Sequence, residues 1–94
     1  MKIRWLEDSI KDLKTLRQYI AQENPTAARR VAKRIIQSVN LLLDQPGIGR
    51  AGRVPNSREL VVTGTPFLIP YRIKNNTIEI LRVLNSAMQW PEEF

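Results

Sequence analysis

The stretch Ser57–Pro91, SRELVVTGTPFLIPYRIKNNTIEILRVLNSAMQWP, decides the fold of this chain. It contains three short apolar runs, each bounded by residues that favour turns. These runs are Leu60–Val62, Phe67–Ile69 and Ile78–Leu81. Because strands this close in sequence pair antiparallel, the stretch predicts a small antiparallel sheet of three strands.

Two tight turns are predicted between these strands. Thr63–Pro66 makes the first bend, and Asn75 with Asn76 makes the second, because Asn tolerates a positive φ angle. Pro70 constrains the middle strand, since proline cannot donate to a ladder and suits an edge strand or a bulge. If that strand is central, the missing N–H of Pro70 must point away from a neighbouring strand.

The residues before the sheet predict a strand and a helical hairpin. Lys2–Arg4 forms an opening edge strand, and a helix runs from about Asp8 to Gln22. Asn24 is the N-cap of a second helix that has Pro25 at its first position and ends near Leu43. Apolar residues at helical spacing predict the buried face of the first helix: Ile10, Leu13, Leu16, Tyr19 and Ile20.

The second helix has one apolar face and one basic face. The apolar face is Ala28, Val31, Ala32, Ile35, Val39, Leu42 and Leu43. The opposite face carries Arg29, Arg30, Lys33, Arg34 and Gln37. Leu41 also falls on this basic face, where it could contact a partner.

The order of elements predicts an α+β domain over residues 1–94, with the pattern β-α-α-β-β-β. We expect the helical hairpin to pack across one face of the sheet, while the other face is more open and carries arginines. Pro46 ends the second helix, and the loop Gln45–Asn56 with its Gly-Arg pairs is either a plain connection or a binding element.

Composition limits the classes of function. The net charge of +6 fits either a solubilising surface or a polyanionic or acidic partner. The chain has no His and no Cys, so we expect no disulfide, no ordinary zinc site and no cofactor. It has no long apolar run and no signal-like start, and its composition fits a cytoplasmic protein.

The chain resembles the ParE/RelE superfamily of bacterial toxins, and within it the ParE branch. The resemblance rests on the joint order and spacing of short motifs over about ninety residues. The motifs are Trp5, Asp12-Leu13, Tyr19-Ile20-Ala21, Asn24-Pro25, Ala27-Ala28, Pro46, Gly49-Arg50, Gly52-Arg53-Val54, Arg58-Glu59-Leu60-Val61-Val62, Thr65-Pro66, Tyr71-Arg72, Ile80-Leu81-Arg82-Val83-Leu84 and Gln89-Trp90-Pro91.

The resemblance implies the toxin of a type II toxin–antitoxin, or plasmid stabilisation, module. ParE-like toxins poison DNA gyrase and are held inactive by a ParD-like antitoxin, which itself binds DNA. The resemblance therefore implies contact with DNA only through the antitoxin, in a toxin–antitoxin hetero-oligomer. RelE-like relatives instead cut messenger RNA on the ribosome, so an endoribonuclease is the alternative. A degenerate, non-toxic member that only pairs with its antitoxin is a third possibility.

Two departures from the family pattern argue against nuclease chemistry. The ParE branch often carries a His and an Arg just before Gln-Trp-Pro, where this chain has Asn85 and Met88. Asn85 cannot transfer protons at neutral pH. If the chain were a nuclease, the candidate catalytic residues would be Tyr71, Arg82 and Asn85, although Tyr71 in a strand is more typical of a core residue.

We expect a set of arginines to bind the antitoxin, because an unpaired buried charge is too costly for all of them to lie in the core. Glu59 is the only carboxylate inside the motif Arg58–Val62, and we expect it to pair with a sheet arginine such as Arg72 or Arg82. Trp90 is either a cap on the core or an anchor at the rim of the interface. The residues predicted to bind the partner are Arg50, Arg53, Arg58, Arg72, Arg82, Trp90 and Leu41.

Overall fold

Two helices and a six-stranded sheet form the computed structural model, which describes residues 1–94. The helices are α1 (Glu7–Ala21) and α2 (Pro25–Asn40), and a 3-10 turn (Leu41–Leu43) follows α2. The strands are β1 (Lys2–Trp5), β2 (Arg50–Ala51), β3 (Arg58–Val61), β4 (Phe67–Lys74), β5 (Thr77–Ile80) and β6 (Leu84–Asn85). The predicted α+β class and the predicted order of the main elements are confirmed.

The sheet is mixed, which corrects the expectation of a purely antiparallel one. Its strand order is β1-β5-β4-β3-β2, and β6 pairs with β4. Strands β3, β4 and β5 pair antiparallel as predicted, whereas β1 runs parallel to β5 at the sheet edge. The sequence did not predict β2 or β6, because a strand of two residues is too short to show an alternating pattern.

The predicted turns are present. Asn75 and Asn76 both have positive φ angles, of 51° and 57°, as a two-residue hairpin requires. Gly64 provides a φ angle of 80° in the first turn. Pro70 lies in the central strand, and its carbonyl accepts a hydrogen bond from the N–H of Leu81 at 2.9 Å. Its missing N–H therefore faces the same side, toward Leu81 one residue past the end of β5, and does not point away from the neighbouring segment as the sequence analysis required.

The helical hairpin is divided as predicted. Asn24 Oδ1 accepts the N–H of Ala27 at 3.0 Å, and Pro25 occupies the first turn. The second helix ends at Asn40, three residues earlier than predicted, because Leu41–Leu43 tightens into a 3-10 turn. Such turns are common at helix C-termini and do not disturb the apolar face that precedes them.

The core lies between the helices and one face of the sheet. Its fully buried members include Ile35, Val39, Leu42, Ile69, Tyr71, Ile78 and Ile80. Three residues of the predicted apolar faces remain exposed, namely Ile10 at 43%, Tyr19 at 75% and Leu43 at 47%. The predicted stripes are therefore wider than the surface that the sheet covers, and Tyr19 is left on the wall of a groove.

Candidate partner-binding groove

The largest concavity of the molecule is a groove between the helical hairpin, the β3–β4 turn and the segment around β6. Its volume is about 690 Å³. We call it the apolar groove because more than half of its lining residues are hydrophobic. These include Leu16, Tyr19, Ile20, Val31, Phe67, Leu84 and Met88.

Two large side chains that line the apolar groove are mostly exposed to solvent. Tyr19 on α1 is 75% exposed, and Met88 after β6 is 62% exposed. Each buried apolar side chain of this size contributes about 1.5–3 kcal/mol relative to the exposed state. Covering this pair would therefore favour association with a partner that carries apolar side chains.

The polar end of the apolar groove is built on a two-point ion pair. Arg82 Nε donates to Asp12 Oδ2 at 2.7 Å, and Arg82 Nη2 donates to Asp12 Oδ1 at 3.0 Å. The N–H of Val83 donates to the same carboxylate at 3.0 Å. The hydrogen bond with Asp12 raises the pKa of Arg82 above its ordinary value. This pair joins α1 to the chain after β5 and fixes the groove at that end.

The three candidate catalytic residues do not form a single site. The side chain of Tyr71 is fully buried, and its hydroxyl accepts the N–H of Gly49 and donates to the carbonyl of Pro46. Burial raises the pKa of Tyr71 above its ordinary value of 10.0. Arg82 and Asn85 line the apolar groove, but Tyr71 does not. A proton transfer by Tyr71 to a ligand in that groove has no structural basis.

Glu59 has partners that the sequence did not indicate. Its carboxylate accepts hydrogen bonds from Arg50 Nη2 at 3.2 Å and from the backbone N–H of Arg53 at 2.7 Å. The expected pairing with a sheet arginine is present, but the arginine is Arg50 rather than Arg72 or Arg82. The loop that contains β2 folds back onto β3 and places Arg50 directly opposite Glu59 in the register.

The remaining sheet arginines also have internal partners. Arg72 Nε donates to Glu79 at 2.6 Å, and this hydrogen bond lowers the pKa of Glu79 below its ordinary value of 4.5. Arg58 Nη1 donates to the carbonyls of Gly47 and Gly49, at 3.3 and 3.0 Å. Each of these arginines therefore contacts an acceptor within the chain while part of its side chain stays in solvent, and their binding of a partner stays a prediction.

Trp90 is held against the β2 loop. The guanidinium carbon of Arg53 lies 3.8 Å from the centroid of the Trp90 ring, a cation–π contact. The indole N–H donates to the carbonyl of Asn85 at 3.3 Å. Trp90 is half-buried, so it fastens the C-terminal segment to the loop and keeps part of its ring accessible.

The seven residues predicted to bind a partner do not share one groove. Only Arg82 lines the apolar groove. Arg50 and Arg53 cluster with Glu59, and Leu41 is 56% exposed in the 3-10 turn. Binding of a partner by the members outside the apolar groove stays a prediction.

Sequence reasoning missed three residues that shape the apolar groove. Tyr19 was assigned to the core, Met88 was considered only as a substitution, and Asp12 was noted only as part of a motif. A tyrosine at the edge of a helical apolar stripe is the one available signal, because its amphipathic ring tolerates exposure. Nothing in the sequence pairs Asp12 with Arg82, which is 70 residues away.

The structure contains no cluster of three or more His, Cys, Asp or Glu side chains that could hold a metal ion. None of its helices has the length and apolar character needed to cross a bilayer.

Comparison with known proteins identifies the class. The family model described as "ParE toxin of type II toxin-antitoxin system, parDE" matches residues 3–90. The solved structure titled "Chromosomal ParDE TA system from P. aeruginosa" has the same fold, with a TM-score of 0.81 and 30% identity over 90% of this chain and 95% of the other.

Two curated proteins are similar along nearly the whole chain. "Putative toxin Y4kP" of Sinorhizobium fredii (strain NBRC 101917 / NGR234) is 41% identical over 97% of this chain and 94% of its own length. "Toxin RelE2" of Caulobacter vibrioides (strain ATCC 19089 / CIP 103742 / CB 15) is 33% identical over 92% of this chain and 96% of its own. The chain belongs to the ParE toxin family of type II toxin–antitoxin systems.

Proposed function

We propose that this toxin acts by binding DNA gyrase as a protein inhibitor, and that a ParD-like antitoxin neutralises it by covering the apolar groove. The family supports the first part, since the resemblance to ParE toxins implies gyrase as the target. The similar P. aeruginosa structure is titled as a ParDE system, which supports an antitoxin partner for this chain.

The observation that carries the antitoxin proposal is the exposure of Tyr19 and Met88, which both line one apolar groove. A groove of about 690 Å³ with apolar walls fits the apolar face of an amphipathic segment. Asp12, Arg82 and Asn85 at its polar end would fix the direction and register of that segment.

The geometry does not favour the nuclease alternative. Cleavage of RNA needs groups that accept and donate protons near the phosphate. Tyr71 is buried with both hydrogen bonds of its hydroxyl made inside the protein, and Arg82 is engaged by Asp12. The similarity to "Toxin RelE2" nevertheless keeps an endoribonuclease as the second candidate.

Induced expression with microscopy separates the two candidates. A gyrase inhibitor should produce filamentous cells with an active DNA-damage response, and translation should continue at first. Rapid arrest of translation with normal DNA integrity would favour the endoribonuclease. Normal growth at a verified level of folded protein would indicate a non-toxic member.

A titration of the purified toxin with an antitoxin segment tests the apolar groove. We expect Tyr19→Ala and Met88→Ala each to weaken binding by at least about tenfold, as for central anchor residues of interfaces. Ile73→Ala is the matched control, because Ile73 is an exposed apolar residue at 43% and lies outside the groove. Equal effects of all three variants would contradict docking in the groove.

The same titration tests the wider set predicted from the sequence. Arg58→Glu and Trp90→Ala should weaken binding if the partner extends beyond the apolar groove, and binding should then fall with salt. Parent-like binding by both variants would confine the interface to the groove.

A further inference from the structure

The net charge of this chain is concentrated in residues 14–37, the part of the helical hairpin around its turn. Residues 14–37 hold six basic side chains and one acidic side chain, a net charge of +5 out of the total of +6. The other residues hold nine basic and eight acidic side chains and are almost neutral. The six basic residues of this segment are Lys14, Arg17, Arg29, Arg30, Lys33 and Arg34.

None of these six side chains forms an ion pair. All six are exposed. Arg29 donates to the hydroxyl of Thr26, and Arg34 donates to the carbonyl of Thr63. The sheet arginines Arg50, Arg53, Arg72 and Arg82, by contrast, are each paired with a carboxylate. Six of the nine basic side chains that form no ion pair therefore lie in this segment of the hairpin.

Two hollows on the solvent side of the hairpin, of about 360 and 340 Å³, are both lined by Arg17 and Arg29. They therefore form one continuous surface, which we call the basic furrow. Ala21, Ala28 and Ala32 line it between the helices, where small side chains leave room. The basic furrow shares no lining residue with the apolar groove.

The charges that line the basic furrow destabilise the two helices that carry them. Like charges three or four residues apart on a helix repel each other. The first turn of α2 contains no acidic residue, although the positive end of the helix dipole favours one there. The like-charged neighbours that line the furrow are Lys14 with Arg17, and Arg29 with Lys33. An anionic ligand would relieve this repulsion.

We propose that the basic furrow binds the phosphate backbone of duplex DNA. The rims carry Lys14 and Arg17 on α1, and Arg29 and Lys33 on α2. Along each helix these cations are about 4.5–6 Å apart, from the rise of 1.5 Å per residue. One DNA strand presents a phosphate about every 3.4 Å of axis, so flexible side chains at this spacing reach neighbouring phosphates.

The lining of the basic furrow disfavours the other polyanions. Single-stranded nucleic acids are held by stacking on aromatic side chains, and no aromatic residue lines the furrow. An acidic protein segment needs apolar anchors for affinity, whereas the only large exposed apolar residue here is Ile36 at one end. Charge without anchors is typical of contacts with a DNA backbone.

The test is fluorescence anisotropy of a labelled 20-base-pair duplex with the purified full chain at several salt concentrations. Four phosphate contacts predict a slope of log K against log salt of about −3.6. The double variant Arg17→Gln with Arg29→Gln should reduce the magnitude of that slope by about 1.8 and weaken binding at low salt by about tenfold or more. A second pair, Lys14→Gln with Lys33→Gln, should do the same.

The control is Lys2→Gln with Lys74→Gln, which removes the same charge from exposed residues of the sheet that form no ion pair. It should bind within about twofold of the parent. Circular dichroism confirms that each variant is folded. The proposal is overturned if the control weakens binding as much as the furrow pairs. It is also overturned if polyglutamate or single-stranded RNA binds as tightly as the duplex at equal salt.

Discussion

The hydroxyl of Tyr71 accepts the backbone N–H of Gly49 at 2.9 Å inside the core. The same hydroxyl donates to the carbonyl of Pro46 at 2.8 Å. One side chain of the central strand β4 therefore anchors the start of the long loop that leads into β2. That loop in turn supplies Arg50 and Arg53 to Glu59, so the position of the basic cluster depends on a buried phenol.

Replacing Tyr71 by Phe should destabilise the fold by about 1–3 kcal/mol, because it leaves the buried N–H of Gly49 without an acceptor. Urea-induced unfolding measures the change. Tyr19→Phe is the matched control, since Tyr19 is 75% exposed and its hydroxyl makes no hydrogen bond within the chain. Its effect should be within about 0.5 kcal/mol. An unchanged stability for Tyr71→Phe would show that the Tyr71 hydroxyl does not anchor this loop.

Gly49→Ala tests the same contact from the other side. A Cβ atom at Gly49 would lie 2.6 Å from the Tyr71 ring and hydroxyl, which are fully buried and have little room to move. We expect a loss of about 1–3 kcal/mol from overpacking. Gly47→Ala is the control, because nothing lies within 4 Å of a Cβ at that position. Equal unfolding midpoints for the two variants would contradict the close contact.

The start of α2 depends on the side chain of Asn24. Asn24→Ala should lower stability by about 1 kcal/mol, because the N–H of Ala27 loses its acceptor. Asn24→Ser should retain most of the stability, since serine also caps helices well. Thermal unfolding that ranks Asn24→Ala equal to the parent would show that the cap contributes nothing.

Protonation of Glu79 at acidic pH should lower the stability of the fold. The hydrogen bond from Arg72 lowers the pKa of Glu79 in the folded state, so the stabilisation is fully present above pH 4.5. It is lost as the pH falls below that value and through the folded-state pKa. We expect Glu79→Gln to be less stable than the parent near neutral pH and to show a shallower loss of stability below pH 4.5. Glu23→Gln, which removes an exposed carboxylate without an ion pair, should follow the parent curve.

Local signals made most of the fold predictable from the sequence. Asn24 with Pro25 divides the helices. Asn75 and Asn76 form the hairpin turn, because asparagine tolerates the positive φ angles that the turn requires. These features depend on neighbours in the chain. The parallel pairing of β1 with β5 joins residues about 75 positions apart, and no local pattern of the strand specifies its direction.

The candidate site was less predictable, because its contacts are distant in sequence. The sequence shows five arginines and two glutamates near the sheet, but it does not show which of them pair or that Asp12 also serves as a partner. Tyr19 has the spacing of a core residue, and only the position of the sheet edge decides that it stays in solvent. Exposure of an apolar side chain depends on tertiary packing, which the hydrophobic periodicity of a helix does not predict.

The most direct test of the proposed function is DNA supercoiling by purified gyrase at increasing concentrations of this toxin, run beside a translation assay with ribosome-bound messenger RNA. The account predicts loss of the supercoiled product, intact messenger RNA, and recovery of supercoiling when the antitoxin is added. Cleaved messenger RNA together with normal supercoiling would contradict the account and establish the endoribonuclease instead.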